Sequence, residues 1–192
     1  LLKGFFHQWE KYGARKGLNE TYTQDFLALE VAGFTKPDFL PENVSFYSIG
    51  NMADYPVNKW SDAVIKYLQN VSDDLVLILL EDYWMIRPIN RSAIATAAGF
   101  MEDHQNVIRF DIASDRLYCR GSTYAGPYGA IDLCESKDAY SMSLQASIFR
   151  RELLLDIMRP GETPWQAELD GTWRLNQKPY KVLGSYQWPM NY

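Results

Sequence analysis

The sequence has few cysteines and few histidines. Few side chains are therefore available for a zinc site, a disulfide or a catalytic histidine. It contains two cysteines, Cys119 and Cys134, and two histidines, His7 and His104. The cysteine spacing matches no zinc-site pattern. The two cysteines flank a glycine-rich stretch and could face each other across a hairpin, but no secretory signal favours a disulfide. We expect both histidines to be structural, because they fall on predicted helices far in sequence from the acidic motifs described below.

Long apolar runs and an excess of basic residues are also lacking. No apolar segment approaches the roughly 20 residues that a membrane-spanning helix requires, and "LLKGFFHQWEKYG" does not have the layout of a signal peptide. The formal net charge is −5, and no run of Lys or Arg is long enough to follow a phosphate backbone. We therefore expect a cytoplasmic protein without a transmembrane segment and without a nucleic-acid partner.

Several common catalytic motifs are missing as well. The chain has no G-x-x-x-x-G-K-[ST], no G-x-S-x-G and no cysteine–histidine nucleophile arrangement, which argues against P-loop and hydrolase functions. It does have a large apolar fraction, 47% of its residues, which is enough for a core. The length of 192 residues fits one domain, so we expect residues 1–192 to form a single domain.

Strand and helix patterns alternate along the chain. Apolar stretches bounded by breakers predict strands at "DFLALEVAGF", "VSFYSIG", "LVLILL" and "NVIRFDIA". Helical spacing predicts helices at "VNKWSDAVIKYLQNV" and from about residue 91 to 104. Further along, the patterns predict a strand at "AYSMSLQA", helices at "IFRRELLLDIM" and "TPWQAELDGTWRLN", and a last strand at "YKVLGSYQW". This order predicts an α/β fold with a mostly parallel central sheet and helices on both faces.

The segment "LVLILLEDYW" carries the first functional signal. Residues 75–80 never alternate with polar residues, which is typical of a strand buried on both faces at the centre of a parallel sheet. Ligands of such sheets bind at the carboxyl ends of the strands, where Glu81 and Asp82 follow. Carboxylates suit Mg²⁺ or Mn²⁺, whose shells are completed by water and substrate phosphates. The alternatives are that these acids cap the turn or pair with Arg87.

The segment "TPWQAELDG" carries the second signal. Thr163 is suited to cap a helix that has a proline in its first position. Glu168 and Asp170 then fall in the early turns, where acids also suit the helix dipole. One of them could instead act as a general base that deprotonates an attacking hydroxyl. Trp165 could stack on a sugar, although a tryptophan at helical spacing more often packs in the core. Gln145 in "SLQ" could position a hydroxylated substrate, and the alternative is a solvated loop.

Taken in order, "FYSIG", "YPVNKWSDAVIKYL", "LVLILLEDYWMIRPI", "VIRFD", "SLQASIFRRELLL" and "PGETPWQAELDG" resemble a group of glycosyltransferases, many of them from phages and bacteria. The resemblance extends from about Val44 to the end of the chain. It implies a GT-A-like, Rossmann-like fold that binds a nucleotide sugar. It also implies that the usual first strand of this fold would precede Leu1, so we expect that strand to be missing from these 192 residues.

The resemblance also implies which residues bind the donor. "LLEDYW" looks like the counterpart of the D-x-D element that binds a metal and the donor diphosphate, which implies that Glu81 and Asp82 hold Mn²⁺ or Mg²⁺ and that Asp82 contacts the donor. In "PVNKWSDA", Lys59 and Ser61 match the position at which such folds contact the nucleotide or its diphosphate.

On the acceptor side, "PWQAE" looks like the segment that supplies the base in inverting members. This implies Glu168 as the base, with Asp170 as the second candidate, and Gln145 and Trp165 as acceptor-binding residues. The implied reaction transfers a sugar from a nucleotide-sugar donor to a carbohydrate or another hydroxyl acceptor. Two other functions stay open: a non-catalytic carbohydrate-binding or phage structural module with the same fold, and a nucleotidyltransferase.

Overall fold

The structure, a computed structural model, describes residues 1–13, 28–113, 123–126, 129–134, 140–185 and 189–192. It is a mixed α/β fold with two sheets. The helices are α1 (Leu2–Gln8, continued by a π-helical turn at Trp9–Gly13), α2 (Trp60–Asn70, preceded by a 3₁₀ turn at Val57–Lys59), α3 (Arg91–Asp103), α4 (Arg151–Ile157) and α5 (Pro164–Leu175). The strands are β1 (Glu30–Gly33), β2 (Ser45–Ser48), β3 (Leu75–Ile78), β4 (Val107–Asp111), β5 (Thr123–Gly126), β6 (Gly129–Cys134), β7 (Ser147–Arg150) and β8 (Lys181–Ser185).

Within the described residues, the larger sheet has six strands in the order β3-β7-β4-β8-β6-β5. Of its described pairings, β4 with β8 is parallel and the other four are antiparallel. The predicted mostly parallel sheet is therefore wrong. The physical reason is that β7 enters between β3 and β4 from the opposite direction, and the β5–β6 hairpin extends the sheet beyond β8. Strands β3, β4 and β8 nevertheless share one direction, because β3 and β4 are both antiparallel to β7.

Helices cover both faces of this sheet, as the sequence predicts. One core cluster joins buried residues of α1 and α3, including Phe5 and Phe100, to strand residues such as Phe110. The other cluster joins buried residues of α2, α4 and α5 to the neighbouring strand positions. Successive residues of a strand point to opposite faces, so clusters that take alternate strand residues lie on opposite sides of the sheet. The members of the second cluster are Leu68, Ile108, Met142, Leu144, Phe149, Leu154, Ile157, Met158, Leu175 and Val182.

Strand β3 agrees with its sequence pattern in one respect and departs from it in another. Its side chains pack alternately on the two core clusters, Leu75 and Leu77 on one and Val76 and Ile78 on the other, so both faces are apolar as predicted. Its position is different, because β3 is the edge strand of the six-stranded sheet and pairs antiparallel with β7. All four side chains are only half-buried. The prediction of a central, parallel strand is wrong for the described chain.

Strands β1 and β2 form a separate, parallel two-stranded sheet. It is attached to α2 through Glu30, whose carboxylate accepts hydrogen bonds from Ser45 Oγ and from Tyr67 Oη, both at 3.0 Å. Lys66 of α2 also donates to the carbonyl of Ile49 at 2.7 Å. An isolated pair of strands is only marginally stable in water, so these bonds to α2 hold the small sheet in place.

The segment before β7 is irregular, whereas the sequence predicts a strand there. Residues 140–146 form no ladder, and the predicted helix "IFRRELLLDIM" begins only at Arg151, because residues 147–150 are β7. The reason is that backbone groups of this segment bond to side chains: Met142 N–H donates to Thr172 Oγ1 at 3.1 Å, and Leu144 N–H to Glu168 at 2.7 Å.

Other local predictions are confirmed. Thr163 caps α5 in a reciprocal capping box with Gln166, and a proline occupies the first position of the helix. His104 directly follows α3, and its Nδ1 contacts the Phe100 carbonyl at 2.8 Å. Cys134 is the last residue of β6. Cys119 lies outside the described residues, so the predicted pairing of the two cysteines also lies outside what the structure describes.

Candidate functional site

Several loops meet where β3, β4 and β8 end, an edge of the sheet that we call the carboxyl edge. A helix that leads into a strand starts at the carboxyl end of that strand, so α2, before β3, and α5, before β8, both start at this edge. Because β7 is antiparallel to β3 and β4, residues 140–146 that precede it also lie here. The carboxyl-terminal residues cross the same edge, since Met190 N–H donates to the Ile112 carbonyl at 2.9 Å.

Glu81 and Asp82 form an exposed turn that follows β3 after Leu79 and Leu80. The turn is closed by backbone bonds, from Tyr83 N–H to the Leu80 carbonyl at 3.2 Å and from the next amide to the Asp82 carbonyl at 3.1 Å. Neither carboxylate forms an ion pair with any residue that the structure describes, and this includes Arg87. The two acids are therefore accessible to a ligand.

The donor set at this turn fits a hard divalent cation only in part. Among the described residues, no group of three or more acidic, histidine or cysteine side chains is arranged to hold a metal. Glu81 and Asp82 offer two carboxylates, which is the type of ligand that Mg²⁺ and Mn²⁺ prefer. A cation bound there would need water and a phosphate-bearing ligand to complete its shell.

Tyr83, next to these acids, anchors the turn to the loop before β7. Its side chain is buried, and its hydroxyl donates a hydrogen bond of 2.8 Å to the Leu144 carbonyl. Its ring stacks on Tyr192, with the ring centroids 4.3 Å apart. The Tyr192 hydroxyl in turn donates to the side-chain oxygen of Gln145. Gln145, predicted to bind the acceptor, is thus held next to the acidic turn.

Glu168 approaches the same loop from α5. Its Oε1 accepts the Leu144 N–H at 2.7 Å, and its side chain is half-buried. One turn further on, Gly171 packs so closely on Met142 that a Cβ at this glycine would lie 3.0 Å from Met142 Cγ. Asp170 is exposed, and no described residue bonds to its side chain. Of the two predicted bases, only Glu168 contacts the loop.

The outer face of α5 is apolar and exposed. Trp165, Leu169 and Trp173 follow one another at intervals of four residues, so they share one face of the helix. Their exposed fractions are 66%, 56% and 68%. Large apolar side chains in a contiguous exposed stripe are unusual in a folded domain and are typical of binding surfaces. Neither tryptophan belongs to the core.

The predicted donor-binding residues Lys59 and Ser61 differ in their surroundings. Lys59 is exposed and ends the short turn before α2. Ser61 is fully buried: its Oγ accepts the Glu162 N–H at 2.9 Å, and its own N–H donates to the Glu162 carbonyl at 3.0 Å. This pair of bonds joins the starts of α2 and α5. A donor would have to break these bonds to reach the hydroxyl, so Ser61 is not accessible to a donor in this structure.

A buried cluster of charged residues contacts the loop that precedes β7. Arg109 and Asp111 of β4 are both 0% exposed and form an ion pair of 2.6 Å, and Ser147 Oγ donates to Asp111 Oδ1 at 2.8 Å. Arg109 also donates to the Ser141 carbonyl at 3.1 Å. Beside it, Tyr140 has a left-handed φ of 59°, a conformation that needs support from its surroundings.

Sequence reasoning missed this cluster, although a signal was present. Arg109 and Asp111 are two residues apart in the otherwise apolar stretch "VIRFDI", so they share one face of a strand. Opposite charges at such positions are a reason to expect an ion pair, because buried charges in proteins are paired.

The loop that precedes β7 thus contains Gln145 and is bonded by Glu168 and by Tyr83, the residue that follows Glu81 and Asp82. No helix of the described residues is both long and apolar enough to cross a bilayer. Comparison with family models, with curated proteins and with solved structures found no match to this chain.

Proposed function

We propose that this protein is a glycosyltransferase that transfers a sugar from a nucleotide-sugar donor to a hydroxyl acceptor, with inversion at the anomeric carbon. The main observation in support of the proposal is that both backbone groups of Leu144 form hydrogen bonds to side chains from other elements. Its carbonyl is bonded to Tyr83, next to Asp82, and its amide is bonded to Glu168. The residue that follows the accessible acid pair and a carboxylate that suits base catalysis therefore bond to the same residue.

The donor side of the proposal rests on the carboxyl edge. Glu81 and Asp82 are exposed after β3, and Lys59 is exposed at the start of α2, which leads into β3. A cation held by the two acids would supply positive charge to the leaving diphosphate. Lys59 adds a further positive charge on the same edge. We infer a GT-A-like fold from this placement of acids after an apolar strand of a mixed α/β sheet.

The acceptor side rests on α5 and the loop before β7. Glu168 Oε1 is occupied by the Leu144 amide, which holds the carboxylate in one orientation and leaves Oε2 to accept the proton of the attacking hydroxyl. Trp165, one turn earlier on α5 and 66% exposed, offers a face on which a sugar ring stacks. Gln145 adds an amide near the same loop. Asp170 is the second candidate for the base.

Titration of a panel of nucleotide sugars with and without Mn²⁺ tests this proposal. Calorimetric binding of one donor that depends on Mn²⁺ and is lost in Asp82→Ala supports it, and transfer to an acceptor glycan completes the test. Binding of nucleoside triphosphates instead of nucleotide sugars would indicate a nucleotidyltransferase. Binding of glycans alone, without any nucleotide, would indicate a non-catalytic carbohydrate-binding module.

A further inference from the structure

A cavity lies between α3 and strands β3 and β7, on the face of the sheet opposite α2 and α5. Its volume of about 490 Å³ is in the range of small-molecule sites. Its wall includes Asp73 and Asp74, which precede β3, whereas Glu81 and Asp82 follow that strand. The cavity and the proposed donor site are therefore at opposite ends of β3.

Arg150, in the wall of this cavity, is a buried cation. The residue is only 7% exposed. Its Nη2 donates to the Met101 carbonyl near the end of α3, where a cation suits the helix dipole. Its Nε is buried without a hydrogen-bond partner, and Arg150 forms no ion pair with any residue that the structure describes. A buried charge lowers stability unless it is paired, so Arg150 lacks an anion.

Three carboxylates line the same end of the cavity. Asp73 and Asp74 come just before Leu75, the β3 residue that pairs with Arg150, and Glu102 is in the last turn of α3, to which Arg150 is bonded. All three are exposed and form no ion pair within the described part of the chain. No three acidic side chains of the described residues are arranged to share a metal ion. An ammonium group needs only acceptors around it, so it fits these separate carboxylates.

The other end of the cavity is apolar. Leu77 pairs with Ile148 further along β3, and both line the cavity together with Ile94 of α3. Between the two ends, a Cβ added to Gly99 would meet no atom within 4 Å. A glycine inside a helix costs about 1 kcal/mol relative to alanine. The packing of α3 does not require this glycine, and its small size leaves the cavity open.

We propose that this cavity binds a free α-amino acid with a large apolar side chain. The carboxylate of the ligand pairs with Arg150, its ammonium group is held by Asp73, Asp74 and Glu102, and its side chain packs at the apolar end. An anion without an ammonium group would be repelled by the three acids. A cation without a carboxylate would leave Arg150 unpaired. Only a zwitterion satisfies both sets of charges.

Calorimetric titration of the 192-residue protein with L-phenylalanine tests the proposal. The matched ligands are phenylalaninamide, which has no carboxylate, phenylpropanoate, which has no ammonium group, and L-alanine, which has no large side chain. Each should bind roughly tenfold or more weakly than phenylalanine, because each lacks one of the three contacts. No binding of phenylalanine at millimolar concentration would overturn the proposal. Phenylpropanoate that binds as tightly as phenylalanine would overturn the role of the acids.

Gly99→Leu tests the location of the site. A side chain at this position extends into the cavity without meeting other atoms at its Cβ, and leucine is a better helix former than glycine. The variant should therefore fold and bind phenylalanine at least roughly tenfold more weakly. Thr96→Leu is the matched control, since Thr96 is exposed on α3 and does not line the cavity. Unchanged affinity in Gly99→Leu, or an equal loss in Thr96→Leu, would overturn the location.

Arg150→Met tests the cation, because methionine keeps an unbranched side chain and removes the charge. The preference for phenylalanine over phenylalaninamide should disappear in this variant, a change that a purely structural role of Arg150 would not produce. A preference as large as that of the parent would overturn the assignment of Arg150. If this variant does not fold, Gly99→Leu and the ligand series still decide the proposal. None of these titrations uses a nucleotide sugar, so their outcome is independent of the proposed transferase function.

Discussion

The Leu144 amide donates a hydrogen bond of 2.7 Å to Glu168 Oε1, although the two residues lie on different elements, a loop and a helix. This bond determines which oxygen of Glu168 is occupied and how the carboxylate is oriented. The Leu144 carbonyl is bonded to Tyr83, which follows Glu81 and Asp82. One residue therefore couples the two halves of the proposed site, and the predictions below separate their contributions.

Glu168→Gln should separate base catalysis from loop support. The amide oxygen still accepts the Leu144 N–H, so stability should change little, whereas proton acceptance is lost and transfer should fall severely with nearly unchanged donor binding. Glu168→Ala removes both and should in addition lower the free energy of unfolding by about 1 kcal/mol. Asp170→Asn is the matched control on the same helix. If Asp170→Asn rather than Glu168→Gln abolishes transfer, the base is Asp170.

Asp82→Ala should abolish Mn²⁺-supported donor binding and leave the fold intact. Asp82 is exposed and forms no described ion pair, so the free energy of unfolding should stay within about 0.5 kcal/mol of the parent. Calorimetry with Mn²⁺ measures the donor affinity, and Asp54→Ala, at another exposed acid, serves as the control. Equal donor affinity in the parent and in Asp82→Ala would show that this turn does not bind the donor.

Trp165→Ala should weaken acceptor binding without destabilising the protein, because this side chain is 66% exposed. Loss of one stacking face should reduce acceptor affinity by roughly tenfold, or about 1.4 kcal/mol. Trp173→Ala is the matched control, since it is 68% exposed on the same face but two helical turns further from the start of α5. Equal losses in both variants would indicate that the whole stripe, and not a local acceptor subsite, makes the contact.

Arg109→Ala should destabilise the fold by roughly 3–5 kcal/mol, because it leaves Asp111 buried without its ion-pair partner. The double variant Arg109→Met with Asp111→Leu should recover much of this loss, since apolar side chains of similar volume tolerate the interior. Urea unfolding measures both, with Arg87→Ala as an exposed control. A double variant as unstable as the single one would show that the loop contacts of Arg109 matter more than the pair.

Tyr67→Phe should make the protein less sensitive to alkaline pH. Burial raises the pKa of Tyr67, and its hydrogen bond to Glu30 raises that pKa further. The unfolded chain loses the phenol proton near pH 10, whereas the folded chain keeps it to higher pH. The unfolded state is thus favoured as pH rises above about 10, and stability falls there.

In Tyr67→Phe this contribution to the fall is absent, so the free energy of unfolding should decline less steeply above pH 10 than in the parent. Denaturant unfolding at a series of pH values measures the slope. Glu30→Gln is the second variant: it removes the carboxylate but not the burial, so it should give an intermediate slope. Identical slopes in all three proteins would contradict the assignment.

Local order in the chain could be read directly from the sequence. Thr163 and the proline after it predict the start of α5, and the apolar spacing of residues 91–104 predicts α3, because caps and periodicity act within a few residues. The two apolar faces of β3 also follow from its composition. Glu81 and Asp82 end the same apolar run, so their position after β3 also follows from the sequence.

The strand order and the surroundings of the site residues could not be predicted from the sequence. They depend on contacts between residues far apart in the chain. No local pattern shows that β7 enters the sheet in reverse and leaves β3 at the edge of the sheet that the structure describes, since strand order is set by which edges pair. The irregular loop before β7 is stabilised by Arg109 and Glu168, which are more than twenty residues away from it. Ser61 became a buried link to Glu162 only when α2 and α5 met. The sequence determined which side chains are available, and long-range packing determined which of them meet.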